Sequence, residues 1–378
     1  MKTISTPKFL PFVVKSMTVL STFGLCSSAF ALDQIVRPYQ SVRSAGMGGV
    51  RITTGLYDEN FFNNPARVTA NPESKLTLMQ ITPIETTSTT LDTLSSFSNN
   101  TGSNGPINSI SQATGKNLHA RIQMVLPAFY LASSENRKWA LAIGLIGGMQ
   151  VDAIVQKSYQ LGLAGFADIG PAVTFGHKFL KDDALSVGIT GHYTYRYATN
   201  PNFNMVDFIS GTSISSDSIL GGGSSIDFDL GSTYQLTQLG DFNISLGGAI
   251  QNIRGGSYTN SPLQSGQLPS AQPRSYGLGV SASRQVWSYF TDSLFAFEIT
   301  DVLNNRNGSL FKLLHLGGET HWKRLAIRLG VNQGYLTAGL GLNFHYFTLD
   351  LATYGEEMGL NAGTLQDRRF TLNFGFHI

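Results

Sequence analysis

The sequence predicts an all-β fold, a transmembrane antiparallel barrel of about fourteen strands with an N-terminal plug. Three observations predict it. Apolar and polar residues alternate with a period of two in segment after segment. The connections between those segments switch between short and long for most of the chain. The composition suits a lipid-exposed surface: of 378 residues only 13% are charged, 11% are aromatic and 41 are glycine, where a soluble domain carries roughly 25% charge. The net charge of +2 gives no electrostatic case for nucleic acid.

Residues 1–31 read as a secretory signal. Lys2, Lys8 and Lys15 make a basic region, an apolar run follows from about Met17 to Leu25, and Ala29-Phe30-Ala31 places small residues where a signal peptidase reads them. The run is too short for a membrane anchor, which needs ~20 residues. Cys26, the only cysteine, falls in this segment, and Leu25 before it does not fit a lipoprotein signal. The mature chain then has no thiol chemistry.

Residues 32–74 do not alternate and are read as the plug. They carry Ser44-Ala45-Gly46-Met47-Gly48-Gly49-Val50 and then Phe61-Phe62-Asn63-Asn64-Pro65-Ala66. A phosphate loop would need Lys-Ser/Thr after the glycines, which this run lacks. The reading favoured instead is tight backbone packed inside a barrel mouth, where glycine permits close approach.

Residues 75–378 are read as the barrel. The last strand is the clearest: Phe370, Leu372, Phe374, Phe376 and Ile378 share one face, and Thr371, Asn373, Gly375 and His377 the other. Such a strand has one face for lipid and one for water. The same alternation places Ile122, Met124, Leu126, Ala128 and Tyr130 together, opposes Leu185, Val187 and Ile189 to Ser186, Gly188 and Thr190, and opposes Ile226, Phe228 and Leu230 to Asp227 and Asp229. Strand starts are predicted near 75, 119, 139, 166, 184, 223, 241, 273, 291, 312, 323, 335, 345 and 366. Short turns fall at Ser133–Lys138, Lys181–Asp183, Thr237–Gly240, Trp287–Phe290, Trp322–Lys323 and around His345; long loops fall at 84–118, 198–222, 254–272, 303–311 and 355–365. Short turns belong to the periplasmic side of outer-membrane barrels, so both termini are expected in the periplasm. Trp139, Trp287 and Trp322 all lie at short turns, as an interfacial aromatic girdle requires.

The Ala45-Gly46-Met47-Gly48-Gly49 run followed by Asn64-Pro65-Ala66 resembles the N-terminal hatch of the FadL/TodX-type outer-membrane transporters and their PorV-like relatives. Leu316-Gly317-Gly318-Glu319, Arg328-Leu329-Gly330 and Gly339-Leu340-Gly341-Leu342 resemble the PorV side of that group. Arg67 stands where the FadL-type motif usually has glycine. The resemblance implies a hatch within a fourteen-stranded barrel, with an apolar ligand captured at the outer loops and released sideways through a kinked strand.

The candidate site residues follow. Phe61, Phe62, Asn63, Asn64, Pro65 and Ala66 are either ligand-binding hatch residues or a structural plug. Gly147-Gly148 interrupts the third predicted strand and marks either a gate-forming kink or ordinary curvature. The loop at 84–118, with Leu91, Leu94 and Phe97, is either a capture site or a solvated loop. Glu298, His315, Glu319, His321, Arg328 and Asp350 are expected as a polar network in the lumen. His315 and His321 lie roughly 20 Å apart on an extended strand, too far to share a metal. No metal motif, nucleotide motif or Ser-His-Asp arrangement is legible, so the reading is a non-enzyme without cofactor. Its expected partners are outer-membrane lipid, an apolar ligand such as a fatty acid, and the barrel-assembly machinery acting on Phe370–Ile378. Three functions stay open at this point: passive uptake of hydrophobic compounds such as long-chain fatty acids, a PorV-like barrel that binds exported proteins, and a general porin.

Overall fold

The computed structural model describes residues 39–99, 114–155, 160–199, 202–204, 220–236, 238–259, 268–287, 289–303, 309–359 and 361–378. The signal-peptide reading, the first residues of the plug and the middle of the 84–118 loop lie outside them.

Fourteen long strands and one short one form a single antiparallel sheet. They are β1 (Lys75–Thr87), β2 (Asn117–Leu131), β3 (Trp139–Val155), β4 (Gln160–Phe179), β5 (Leu185–Thr199), β6 (Asn202–Asn204), β7 (Leu220–Gln235) and β8 (Asn243–Gln251), then β9 (Ser275–Trp287), β10 (Phe290–Thr300), β11 (Leu314–Trp322), β12 (Leu325–Asn332), β13 (Tyr335–Asn343), β14 (Phe347–Glu357) and β15 (Gln366–His377). Each long strand pairs with its neighbours in sequence, three-residue β6 adds only to the end of β4, and β15 pairs with β1 from Thr77↔His377 to Thr87↔Arg369. Among the described residues, closure leaves each of the fourteen long strands paired on both sides, as a backbone in hydrocarbon requires.

The side-chain alternation has the polarity of a membrane barrel. Val187, Ile189, Ile226, Phe228, Phe370 and Phe376 are exposed, while Ser186, Thr190, Asp227, Asp229, Thr371 and Asn373 are buried. Apolar outside and polar inside inverts a soluble core and suits a lipid solvent. The short turns gather at one end. Trp139, Trp322, Tyr289, Phe290 and Tyr346 are exposed there, and Phe344 stacks on Phe347 at 4.4 Å.

Three readings are corrected. β4 begins at 160 rather than near 166, and β3 and β4 run on together as far as Val155↔Leu161. The 84–118 segment is partly ordered structure: β1 reaches Thr87 and a helix, α2 (Ser88–Asn99), follows, with Leu91 exposed on it. Its spacing of Leu91 and Leu94 is helical, and Thr90 ties its first turn to the His119 backbone. Finally, Ala128 and Tyr130 do not share the outward face of Ile122 and Met124. Between Val125 and Ala128 the β2–β3 register slips by one residue at Leu126-Pro127. One extra residue reverses the alternation, so Ala128 and Tyr130 turn into the lumen, where both are buried.

Candidate functional site: a filled lumen with one apolar sector

Residues 39–71 lie inside the barrel against its inward-facing side chains. The segment begins with α1 (Val42–Gly46), capped by Ser41, whose hydroxyl accepts from the Ser44 amide at 3.0 Å. After α1 the glycine run meets the wall. Gly48 has φ +70, and a Cβ there would sit 2.1 Å from the Leu316 carbonyl oxygen. Only glycine tolerates both that dihedral and that approach. The wall reciprocates, since a Cβ on Gly317 would meet the Met47 carbonyl oxygen at 2.0 Å. Gly48 N–H donates to Thr337 Oγ1 at 3.0 Å, and the Gly48 carbonyl lies 2.9 Å from His315 Nδ1.

The Asn-Pro-Ala motif has a local and a tertiary cause. Asn64 Oδ1 accepts from the Ala66 amide at 3.1 Å and so caps the 3-10 turn Pro65–Ala70; proline at the first position of such a turn forfeits no bond. Asn64 Nδ2 donates to the carbonyls of Ile52 (2.8 Å) and of Ser232 on β7 (3.1 Å). Pro65 and Ala66 press on Gly188 of β5, where a Cβ would come within 2.4 Å of the Pro65 carbonyl carbon. Arg67 Nε donates to the Gly55 carbonyl within the same segment at 3.2 Å.

The six residues expected as one polar network divide. Glu319, Arg328 and Asp350 stand together: Arg328 Nε donates to Glu319 at 2.5 Å and Nη1 to Asp350 at 2.6 Å. The segment adds Arg43, which reaches Glu319 at 2.8 Å and Glu59 at 3.2 Å. Glu298 is elsewhere, accepting from the backbone amides of Arg51 (2.6 Å), Ile52 (2.8 Å) and Thr53 (2.9 Å). His315 bridges the Gly48 carbonyl and Thr300 Oγ1. His321 lines a polar chamber of about 360 Å³ at the short-turn end, beside Arg43, Asp58 and Lys75; its Nδ1 is buried without a hydrogen bond. Burial, and then the neighbouring Glu59, push the Asp58 carboxyl up to about 7.

A second charged cluster was missed in the sequence. His119 on β2 contacts Asp152 on β3 (2.6 Å) and Glu85 on β1 (2.7 Å), and Arg369 on β15 lies 3.5 Å from the same Glu85. Each points inward on its strand; parity was the available signal for His119 and Arg369, whereas Glu85 falls in the segment expected as the 84–118 loop.

Against this polar lining stands the most extensive apolar cluster among the described residues, beside smaller ones of Val42 and Ala45 with Tyr354 and of Met47 and Val50 with Ala296. Phe61 packs with Val68 of the internal segment and with Val125, Ala128, Tyr130, Ala140, Ala142, Ile146 and Ala172 on the inner faces of β2, β3 and β4. Phe61 is fully buried, its ring 5.8 Å from that of Tyr130, and a Cβ on Gly144 would come within 3.0 Å of it. Phe62 stacks on Tyr39 at 4.8 Å. Asn63 is buried beside them.

Gly147 and Gly148 do not interrupt β3, which pairs through them with β2 and β4 without a register shift. Register slips lie one and two strands away, at Leu126-Pro127 in β2 and at Thr82-Pro83 in β1, and others at Leu78 in β1 and at Asp292-Ser293 in β10. Proline has no N–H to give to the ladder, whereas glycine in extended backbone keeps its donor. The β2 slip adjoins the apolar sector, to which Val125, Ala128 and Tyr130 of that strand belong.

No family model matches the chain, and no curated protein matches it. Solved structures do match. The Ralstonia pickettii toluene transporter TbuX superposes with a TM-score of 0.50 at 12% identity, covering 92% of this chain and 99% of that one. The CymD monoaromatic hydrocarbon channel gives 0.48 at 13% identity, over 92% and 98%. The P. putida toluene transporter TodX gives 0.42 at 12%, over 92% and 98%. The likeness to TbuX, at this identity, is one of fold.

Proposed function

We propose that the protein is an outer-membrane channel for passive uptake of hydrophobic compounds, in which residues 39–74 act as the hatch. The observation that carries the reading is the register slip at Leu126-Pro127 in β2, set directly against the apolar sector around Phe61. A hydrophobic solute gains nothing from a polar lumen but gains contacts along an apolar one. Release is sideways, past Thr82-Pro83 and Leu126-Pro127, rather than at Gly147-Gly148. The toluene transporter that shares the fold fits a hydrophobic cargo, and long-chain fatty acids are the class proposed here. The short turns and both termini face the periplasm, and the strand Phe370–Ile378 is what the barrel-assembly machinery engages. The filled lumen, with Arg43, Asn64 and Glu298 bonded across it, weighs against a general porin.

Native mass spectrometry of the detergent-purified protein from its own host tests this. A bound fatty acid or similar lipid, lost on Phe61→Asp with Phe62→Asp while heat-modifiable gel migration persists, is the expected result. A lipid-free barrel holding a stoichiometric protein partner would replace the proposal with a PorV-like role.

A further inference from the structure

The outer wall carries a feature that uptake does not use. Its outward positions are mostly large and apolar, and Leu329, Leu336, Leu340 and Leu351 are each at least 50% exposed. The lateral row through Ala338 and Thr353 departs from this. Leu329 pairs with Ala338, Ala338 with Thr353, and Thr353 with Phe370. Two small side chains therefore lie between two large ones, and a groove of about 710 Å³ opens over them, flanked by Leu340 and Leu351.

Arg368 is the next outward residue of β15 toward the long-loop end. It pairs with Gly355 of β14, and its Nη1 donates to the carbonyl of Leu336 on β13 at 2.6 Å. The guanidinium thus crosses β14 near the upper end of the groove. It has five N–H donors, and this bond leaves most of them for a ligand. A lipid-facing arginine is costly at the bilayer midplane and nearly free near the interface, so its place at the end of β15 marks headgroup depth.

We propose that this groove binds an anionic, phosphate-bearing lipid of the leaflet at the long-loop end, with one acyl chain over Ala338 and Thr353 and the phosphate held by Arg368. Hydrocarbon in the groove restores the contacts that the small residues forgo, and guanidinium matches phosphate in a bidentate fork. A second copy of the chain fits less well, because a two-fold contact sets the same patch face to face and would bring Arg368 toward its own symmetry mate. The site stands on the outer wall alone, so it does not depend on the uptake reading.

The test uses the full chain in dodecylmaltoside micelles doped with phosphatidylglycerol or phosphatidylcholine, with retained lipid counted by native mass spectrometry. The wild type is expected to keep one phosphatidylglycerol, preferred about fivefold, as one basic residue near a charged headgroup provides. Arg368→Ala removes the preference and Arg368→Lys keeps most of it. Ala338→Leu fills the floor and removes retention of both lipids, with heat-modifiable migration unchanged. Equal retention of the two lipids by the wild type, an Arg368→Ala protein that behaves as wild type, or a mass of two chains in place of a lipid adduct would overturn the proposal.

Discussion

Glu298 holds the internal segment to the wall, and Glu298→Gln tests how firmly. The carboxylate accepts from Arg51 N–H at 2.6 Å and from Ile52 N–H through Oε2, and from Ile52 N–H, Thr53 N–H and the Thr53 hydroxyl through Oε1. The isosteric amide keeps one acceptor oxygen. If that oxygen takes the Oε1 place, the new NH₂ faces the Arg51 amide, donor against donor. A buried amide left unpaired costs ~1–3 kcal/mol, and the surviving bonds fall from the charged range of ~1.5–3 to the neutral range of ~0.5–1.5 kcal/mol. The sum is about 3 kcal/mol on local opening of the segment, or roughly 150-fold in its equilibrium. The barrel ladder uses none of these atoms and is expected to stay closed. Native-state hydrogen exchange read on a peptide spanning residues 51–53 gives the answer, with β9–β11 peptides as the control. Unchanged exchange at 51–53 in the variant would refute the anchoring role.

Two further perturbations address the same segment. Gly48→Ala puts a methyl group 2.1 Å from the Leu316 carbonyl oxygen in backbone at φ +70; the segment is expected to unseat and ion conductance in a planar bilayer to rise, and a variant as closed as wild type would contradict the packing argument. Asp58 has a folded-state carboxyl pushed up to about 7 by burial and then by Glu59, against about 3.9 in an unfolded chain. The raised value means that the neutral form favours the fold, so its contribution is full below about pH 4 and is lost as pH rises through about 7. Thermal unfolding in detergent is therefore expected to drop between pH 5 and pH 8 in the wild type and to drop less in Asp58→Asn; parallel profiles would exclude Asp58 as the titrating group.

Much of this protein was legible in its sequence because a barrel strand is a local pattern. Phe370, Leu372, Phe374 and Phe376 against Thr371, Asn373 and Gly375 need no partner to show which face meets lipid, and turn lengths count the strands. The glycine run and Asn64-Pro65-Ala66 were likewise legible as backbone that must pass close to something. What only the tertiary structure decided was across-strand and across-lumen geometry. Glu298, His315 and Arg328 share the inward parity, but their strands face different stretches of the internal segment, so they divide among separate partners. Gly147-Gly148 looked like the break in the wall, yet glycine can keep its ladder bonds; Pro127, which cannot, sits at the slip that turned Tyr130 inward. A period of two tells inside from outside only until one residue is inserted, and both that insertion and the side chain each inward charge meets are set by strands far away in the chain.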